Sequence, residues 1–289
     1  MAIAARTTHA GALSQPSRLV DFVGRHAITF VAMLSLVYLL APVGMMIALS
    51  LNQTNGKFDF TWHGFSTAAW ANPLAVDGLL PALKLSIVLA STVTLIATPI
   101  GTAMAYALVR YKFPGQTLLD LVLLLTISTP EVILGSAMLD MFLNLRTPTG
   151  PLTLILAHVM FDIAFVVIMV KSRLRGFDIT LEHAAMDLGA RGWRVFSKIT
   201  LPLILPSVVT AGILAFMLSL DDFIVSMFVS GQTVTFPLFV WGEARVAMPP
   251  QIYVIGTSIF LILAGLMIGS VLLDRSRGQL SAARVKMES

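Results

Sequence analysis

The chain has 289 residues, of which 57% are hydrophobic and 12% charged, with a mean hydropathy of +0.87. This composition excludes an ordinary soluble domain and requires a polytopic membrane protein. Cysteine is absent, which excludes disulfides, thiol catalysis and cysteine-ligated metals. The net charge of +4 does not signal a nucleic-acid partner, because the basic residues sit at the ends of apolar runs, where they set topology.

Residues 1–26 read as a cytoplasmic N-terminal tail carrying Arg6, Arg18 and Arg25. The apolar run behind them, 27–51, is too long for a secretory signal core and no small-residue cleavage site follows it, so an uncleaved first span is expected. Five more runs reach the roughly 20 residues that a bilayer requires, at 80–109, 117–143, 152–170, 203–229 and 252–273. Pro42, Pro99 and Pro130 fall inside three of the six and are expected to kink them. The expected fold class is an all-α polytopic membrane protein with six transmembrane helices over 27–274, followed by a polar cytoplasmic tail, 275–289, without evident structure. Between the first two spans, 52–79 carries Phe58, Phe60, Trp62, Phe65 and Trp70, as suits a segment lying at the membrane surface.

The placement of Lys and Arg orients the bundle. With the N-terminus inside, the inner segments hold Arg6, Arg18 and Arg25, Arg110 and Lys112, six basic residues from Lys171 to Lys198 and four from Arg275 to Lys286. The outer segments hold only Lys57, Arg146 and Arg245. This asymmetry fixes an N-in, C-in topology and puts 178–202 in the cytoplasm.

A carboxylate facing lipid at mid-bilayer costs about 2.5 to 3.5 kcal/mol, so acids within the spans are expected to face protein or a wet cavity. Glu131 follows Pro130 in the third run, where packing, gating and substrate contact are all open to it. Asp162 in the fourth run has His158 one turn before it on the same face, placed for a hydrogen-bonded pair.

Between the fourth and fifth spans, EHAAMDLGARGWRVFSKITLP (Glu182 to Pro202) is a charged interruption. Leu181 to Leu188 has helical character, with Ala184 and Ala185 adjacent and Gly189 placed as a left-handed C-terminal stop. A second short helix is expected from Trp193 to Ile199, ended by Pro202. The small residues let another protein approach the backbone, and Trp193, Val195, Phe196 and Ile199 offer an apolar face, so the segment has the form of a helix-turn-helix plug. The spacing Ala184, Ala185, three residues, Gly189, nine residues, Ile199, one residue, Leu201-Pro202 resembles the cytoplasmic coupling loop, or EAA loop, of permease subunits of bacterial ABC importers. The resemblance implies a type I ABC importer permease fold and a contact with the ATPase made by Glu182, His183, Ala184, Ala185, Asp187, Gly189, Phe196, Ile199 and Pro202. One departure is that the glutamate which usually opens the motif falls at His183, with Glu182 one residue earlier. Either His183 leaves less negative charge toward the ATPase, or Glu182 substitutes.

In the fifth run Ser219, Asp222 and Ser226 recur at i, i+3 and i+7 and share one helical face, which assigns Asp222 to the path. Asp221 lies about 100° round the helix and is left to a structural pairing or the cavity edge. Trp241 and Glu243, in the outer loop before the last span, either supply an aromatic wall and a carboxylate or belong to a solvated loop. In the last run Gly265 and Gly269 have GxxxG spacing, a close-packing signal in lipid.

Acids along a path favour a cationic substrate, because they offset the desolvation of an ammonium group. FMLSLDDFIVSMFVSG, residues 216–231, resembles the fifth-span region of polyamine (spermidine/putrescine) permease subunits, particularly the second of the two permeases. That resemblance implies polyamine import across a bacterial inner membrane, with a second homologous permease, an ATPase dimer and an extracytoplasmic substrate-binding protein as partners. The chain has no GxxxxGK[ST] phosphate loop, so ATP and Mg are expected on the ATPase and no cofactor or catalysis on this subunit. The alternatives are a permease for another small organic solute, an ion-driven secondary transporter with Glu131, Asp162 and Asp222 as a relay, and an intramembrane enzyme, although the acids fall in no protease or transferase spacing.

Overall fold

The computed structural model describes residues 18–54, 56, 61–246 and 248–288, with side chains between 26 and 269. Most of the expected N-terminal tail, and the surface aromatics Phe58 and Phe60, lie outside the described residues. The helices are α1 (Arg18–Ser50), α2 (Ala68–Ala71), α3 (Leu79–Arg110), α4 (Gln116–Ser128), α5 (Glu131–Asn144), α6 (Pro151–Arg175), α7 (Thr180–Asp187) and α8 (Gly192–Val195). A π-helical turn (Phe196–Thr200) leads into α9 (Leu201–Asp221), followed by α10 (Ile224–Val229), α11 (Phe236–Glu243) and α12 (Pro250–Glu288).

Among the described residues, five helical runs are long and apolar enough to cross a membrane unaided: those at His26–Ser50, Leu79–Arg110, Pro151–Arg175, Gly192–Asp221 and Pro250–Gly269. The sixth expected span is the pair α4 and α5, bent by 111°. Thr129 and Pro130 are extended there, because a residue before proline is pushed out of the helical region. On the inner side, Leu123 of α4 is buried with Leu108, Leu174 and Ile204. Met138 and Phe142 of α5 pack with Leu89, Leu154 and Val229 toward the outer ends of α3 and α6. The bent pair therefore passes from the inner half of the bundle to the outer half and completes six crossings. Pro42 and Pro99, expected to kink their helices, lie inside α1 and α3, which continue unbroken past them.

Two boundaries differ from expectation. Helix α1 begins at Arg18, within the segment read as tail. Helix α12 continues to Glu288 through the segment read as unstructured. After Asp274 that segment holds no proline and several Arg, Leu, Ala, Lys and Gln residues, all good helix formers.

The core is the crossing of α3, α6 and α9, built on small residues that let helices approach in lipid. A Cβ on Gly101 would stand 2.6 Å from Val166 Cγ1, and one on Gly212 would stand 3.3 Å from Thr98 Oγ1. Ala97, Ala105, Ala164, Ala211 and Ala215 are buried around these contacts. Gly265 and Gly269 differ: a Cβ on either would meet nothing within 4 Å, so their spacing makes no close contact among the described residues.

The fifth span is also broken. Asp222 is extended (ψ 119°), and α10 starts afresh two residues later. Helices α5 and α10 then pack so closely that a Cβ on Gly135 would stand 2.7 Å from the Phe228 ring and 3.3 Å from the Val225 Cα. The two helix breaks thus open onto neighbouring parts of the bundle.

Candidate functional site

The first candidate surface is the inner segment from α7 to α9. The Asp178 carboxylate accepts the Thr180 N–H at 2.9 Å just ahead of α7, and the hydrogen bonds from Thr180 hold its carboxyl below the usual carboxylate range. At the other end Gly189 adopts φ +84°. Its N–H donates to Met186 O at 2.9 Å and the Ala190 N–H donates to Ala185 O at 3.0 Å, which together form a Schellman stop. The helix and its glycine end match the sequence expectation. His183, Ala184, Asp187 and Gly189 are exposed, and Ala185 is half-buried. Leu188 is 90% exposed and Trp193 77% exposed, so two large apolar side chains flank the turn. Leu188 was not singled out from sequence, although an apolar residue at the helix end beside a glycine stop is a usable signal.

Glu182 does not belong to that surface. It is 3% exposed, and it accepts from Arg110 Nε at 2.9 and 3.1 Å, from Arg110 Nη2 at 2.9 Å and from the Thr200 hydroxyl at 2.9 Å. Facing the inner end of α3 in this way, it cannot substitute for a glutamate presented to a partner. The position that usually carries that glutamate is the exposed His183. The apolar face expected of Trp193, Val195, Phe196 and Ile199 is also divided. Val195 is buried, and the Phe196 ring packs on Tyr106 of α3 at 4.8 Å and on Trp193 at 5.5 Å, while Ile199 is half-buried.

Pro202 does not end the second helix. The chain from Gly192 to Asp221 is one continuous run, and Pro202 sits in the first turn of α9. The π turn before it is the reason. The Leu201 N–H donates to Phe196 O, five residues back, and the widened turn takes the proline whose missing donor and ring would disturb a regular helix.

The second candidate surface is formed where the broken spans meet. His158 of α6 hydrogen-bonds through Nδ1 to the Ser219 hydroxyl at 2.8 Å and through Nε2 to the Ser226 hydroxyl at 3.1 Å, with Asp222 Oδ2 at 3.3 Å. The three polar residues expected on one face do converge, but on a buried histidine and across a break. Asp222 Oδ2 also accepts the Ser226 N–H at 2.7 Å, and Oδ1 accepts the Val225 N–H at 3.3 Å, so this carboxylate caps α10. Its oxygens are engaged in these hydrogen bonds, whereas the neighbouring Asp221 is exposed. The expected His158–Asp162 pair does not form. Asp162 is 1% exposed and both of its oxygens lack a hydrogen-bond partner among the described residues.

The acids lie within electrostatic range of one another: Asp162 with Asp222 and Asp221, and Asp221 with Glu131 at the exposed start of α5. Trp241 and Glu243 are on α11, not in a loop. The Trp241 ring packs against Phe223 at 5.2 Å with the planes tilted by 49°, and the Arg245 guanidinium lies over it at 4.8 Å.

Residues 97–284, more than half of the chain, match the family described as binding-protein-dependent transport system inner membrane component. The chain belongs to this family. Within it, the chain is 33% identical over 250 residues to the spermidine/putrescine transport system permease protein PotC of Escherichia coli (strain K12), covering 86% of this chain and 94% of PotC. It is 36% identical over 237 residues to the putrescine transport system permease protein PotI of the same strain, covering 79% and 84%. The molybdenum transport system permease protein ModB of that strain is 35% identical over 186 residues, covering 60% of this chain and 77% of ModB. In fold, the chain is similar to a crystal structure of a bacterial alginate ABC transporter in complex with an alginate pentasaccharide-bound periplasmic protein. The TM-score is 0.61 at 13% identity over 90% of this chain and 98% of that one. The binding-protein-dependent permease is thus an inner-membrane transport component with a type I ABC importer permease fold, and the family is a transporter family, not an enzyme family. This membership removes the ion-driven carrier and the intramembrane enzyme from the alternatives.

Proposed function

We propose that this permease is one of two membrane subunits of an ATP-driven polyamine importer. The observation that carries the substrate class is the set of acids Glu131, Asp162, Asp221 and Asp222 gathered around two helix breaks, in a chain about one third identical to polyamine permeases over most of its length. Unwound segments at mid-membrane are where transporters hold charged substrates, because the backbone there is free of the helical ladder. Ser219 and Ser226 shape this region through His158, and Trp241 and Glu243 stand at its outer approach.

On this reading a loaded extracytoplasmic binding protein docks outside, a second homologous permease completes the path, and an ATPase dimer that alone holds ATP and Mg grips the coupling loop inside. His183, Ala184, Ala185, Asp187, Leu188, Gly189 and Trp193 meet the ATPase. Glu182 transmits their movement to the second span through Arg110 and to the fifth through Thr200, with Phe196, Ile199 and Pro202 forming the stiff connection into α9. Rigid-body displacement of α7 then changes which side of the membrane the path faces.

Stimulated ATPase activity tests this. The reconstituted complex is expected to hydrolyse ATP faster when its binding protein is loaded with putrescine or spermidine, and not when sugars or acidic amino acids are supplied. Stimulation by an oxyanion instead would favour the second reading, a permease for another small solute, which the likeness to the molybdenum permease supports.

A further inference from the structure

We infer that the cavity beside Asp221 is a subsite for an alkylammonium group, in which the carboxylate pairs with the ammonium and the apolar walls hold the aliphatic chain behind it. The inference rests on the cationic-substrate reading above and gives it a location within this chain.

The cavity is a half-open hollow of about 280 Å³ between α9, α11 and α12. Met217, Leu220, Val240, Ile259 and Leu263 form apolar walls, and Asp221 is the one ionisable group among the described residues that line it. Its origin is the break in the fifth span. Helix α9 ends at Asp221, the next residue is extended, and Asp222 turns its carboxylate toward His158 and the start of α10. The two neighbouring acids therefore serve opposite sides of the chain. Asp222 closes the helix break, and the Asp221 carboxylate, bonded to its own backbone N–H, stands at the mouth of an apolar hollow.

Such a carboxylate is too costly to face hydrocarbon, so the hollow opens onto a wetted path or a partner subunit rather than onto lipid. Its volume is just below the roughly 300 to 1,000 Å³ of drug-sized sites, which suits a thin chain and not a sugar ring. One negative group on an otherwise apolar wall matches a primary ammonium joined to methylenes. An anion would be repelled, and a compact polyol would leave its hydroxyls without partners. Glu131, within electrostatic range of Asp221, can attract the second ammonium of a diamine.

The test is ATP-driven uptake of labelled putrescine and spermidine by the complete transporter, supplied with saturating loaded binding protein so that passage and not capture limits the rate. Asp221→Asn is close to isosteric and is expected to slow uptake about tenfold or more, the worth of one charge-assisted contact, while Asp221→Glu retains most of it. Val240→Trp fills the cavity and is expected to slow both substrates, and Val240→Leu to slow spermidine more than putrescine. Thermal stability and the amount of complex assembled with the partner permease and ATPase are expected to stay at wild-type levels in all four variants, which separates a lost subsite from a failure to fold or assemble. Uptake at wild-type rate in Asp221→Asn and Val240→Trp would overturn the subsite, as it would if a lipid chain occupies the hollow. A wild-type transporter that carries neither polyamine would overturn the substrate reading itself.

Discussion

Glu182 of α7 and Arg110 at the inner end of the second span are joined by three hydrogen bonds of 2.9 to 3.1 Å in a buried setting. The arrangement uses the planar fork of arginine, which lysine cannot reproduce. Removing one partner leaves a buried charge unpaired, at a cost of about 3–5 kcal/mol. Arg110→Ala and Glu182→Ala are each expected to lower the thermal midpoint, and the double variant to lower it by less than the sum. Uptake is expected to be lost in all three, because the link to the coupling helix is gone even where stability returns. Unfolding in detergent and uptake in vesicles read the two effects separately.

Gly189 offers a different kind of test. A Cβ there would meet nothing, yet φ is +84°, so a bulky side chain is opposed by the backbone alone. Gly189→Val is expected to strain the turn by about 1–2 kcal/mol and abolish uptake while the protein stays in the membrane. Gly189→Asn, which tolerates the left-handed region, is expected to keep part of the activity. Normal uptake by the valine variant would remove this turn from the coupling surface.

Asp222 is expected to matter for the fold of the fifth span. Asparagine at this position keeps one acceptor but replaces the other with a donor facing an N–H or His158. Asp222→Asn should therefore cost about 1–3 kcal/mol and lower the thermal midpoint. Asp221→Asn should leave the midpoint unchanged. Equal midpoints for the two variants would contradict the division of labour between the adjacent acids.

The crossing of α3 and α6 depends on Gly101. A methyl group there would stand 2.6 Å from the stiff Val166 side chain, and overpacking of this kind costs about 1–3 kcal/mol. Gly101→Ala is expected to lower the thermal midpoint, and Val166→Ala in the same chain to restore part of it. A neutral Gly101→Ala would mean that the two helices separate at no cost.

Much of this architecture was legible in sequence because it follows from length and charge. Apolar runs mark the spans, and the positions of Arg and Lys orient them. The alanine pair and Gly189 mark the turn after α7 because left-handed backbone has few chemical solutions. The pairings that decide residue roles were not legible. Arg110 and Glu182 are 72 positions apart, and His158 meets Ser219 and Ser226 across more than 60. The helical period that placed Ser219, Asp222 and Ser226 on one face assumed an unbroken helix, and the break at Asp222 turns the two aspartates into different surroundings. Pro202 misled for a related reason, since a π turn accommodates a proline that would otherwise end a helix.

The central claim is that this permease carries polyamines under the control of ATP. Its most direct test is uptake of labelled putrescine and spermidine into vesicles holding the chain with its partner permease, ATPase and binding protein, competed by unlabelled amino acids and sugars. Uptake that requires ATP and is blocked by unlabelled polyamine, but by neither competitor class, is the predicted result. ATP-dependent uptake of a neutral or anionic solute, with polyamines ignored, would contradict it.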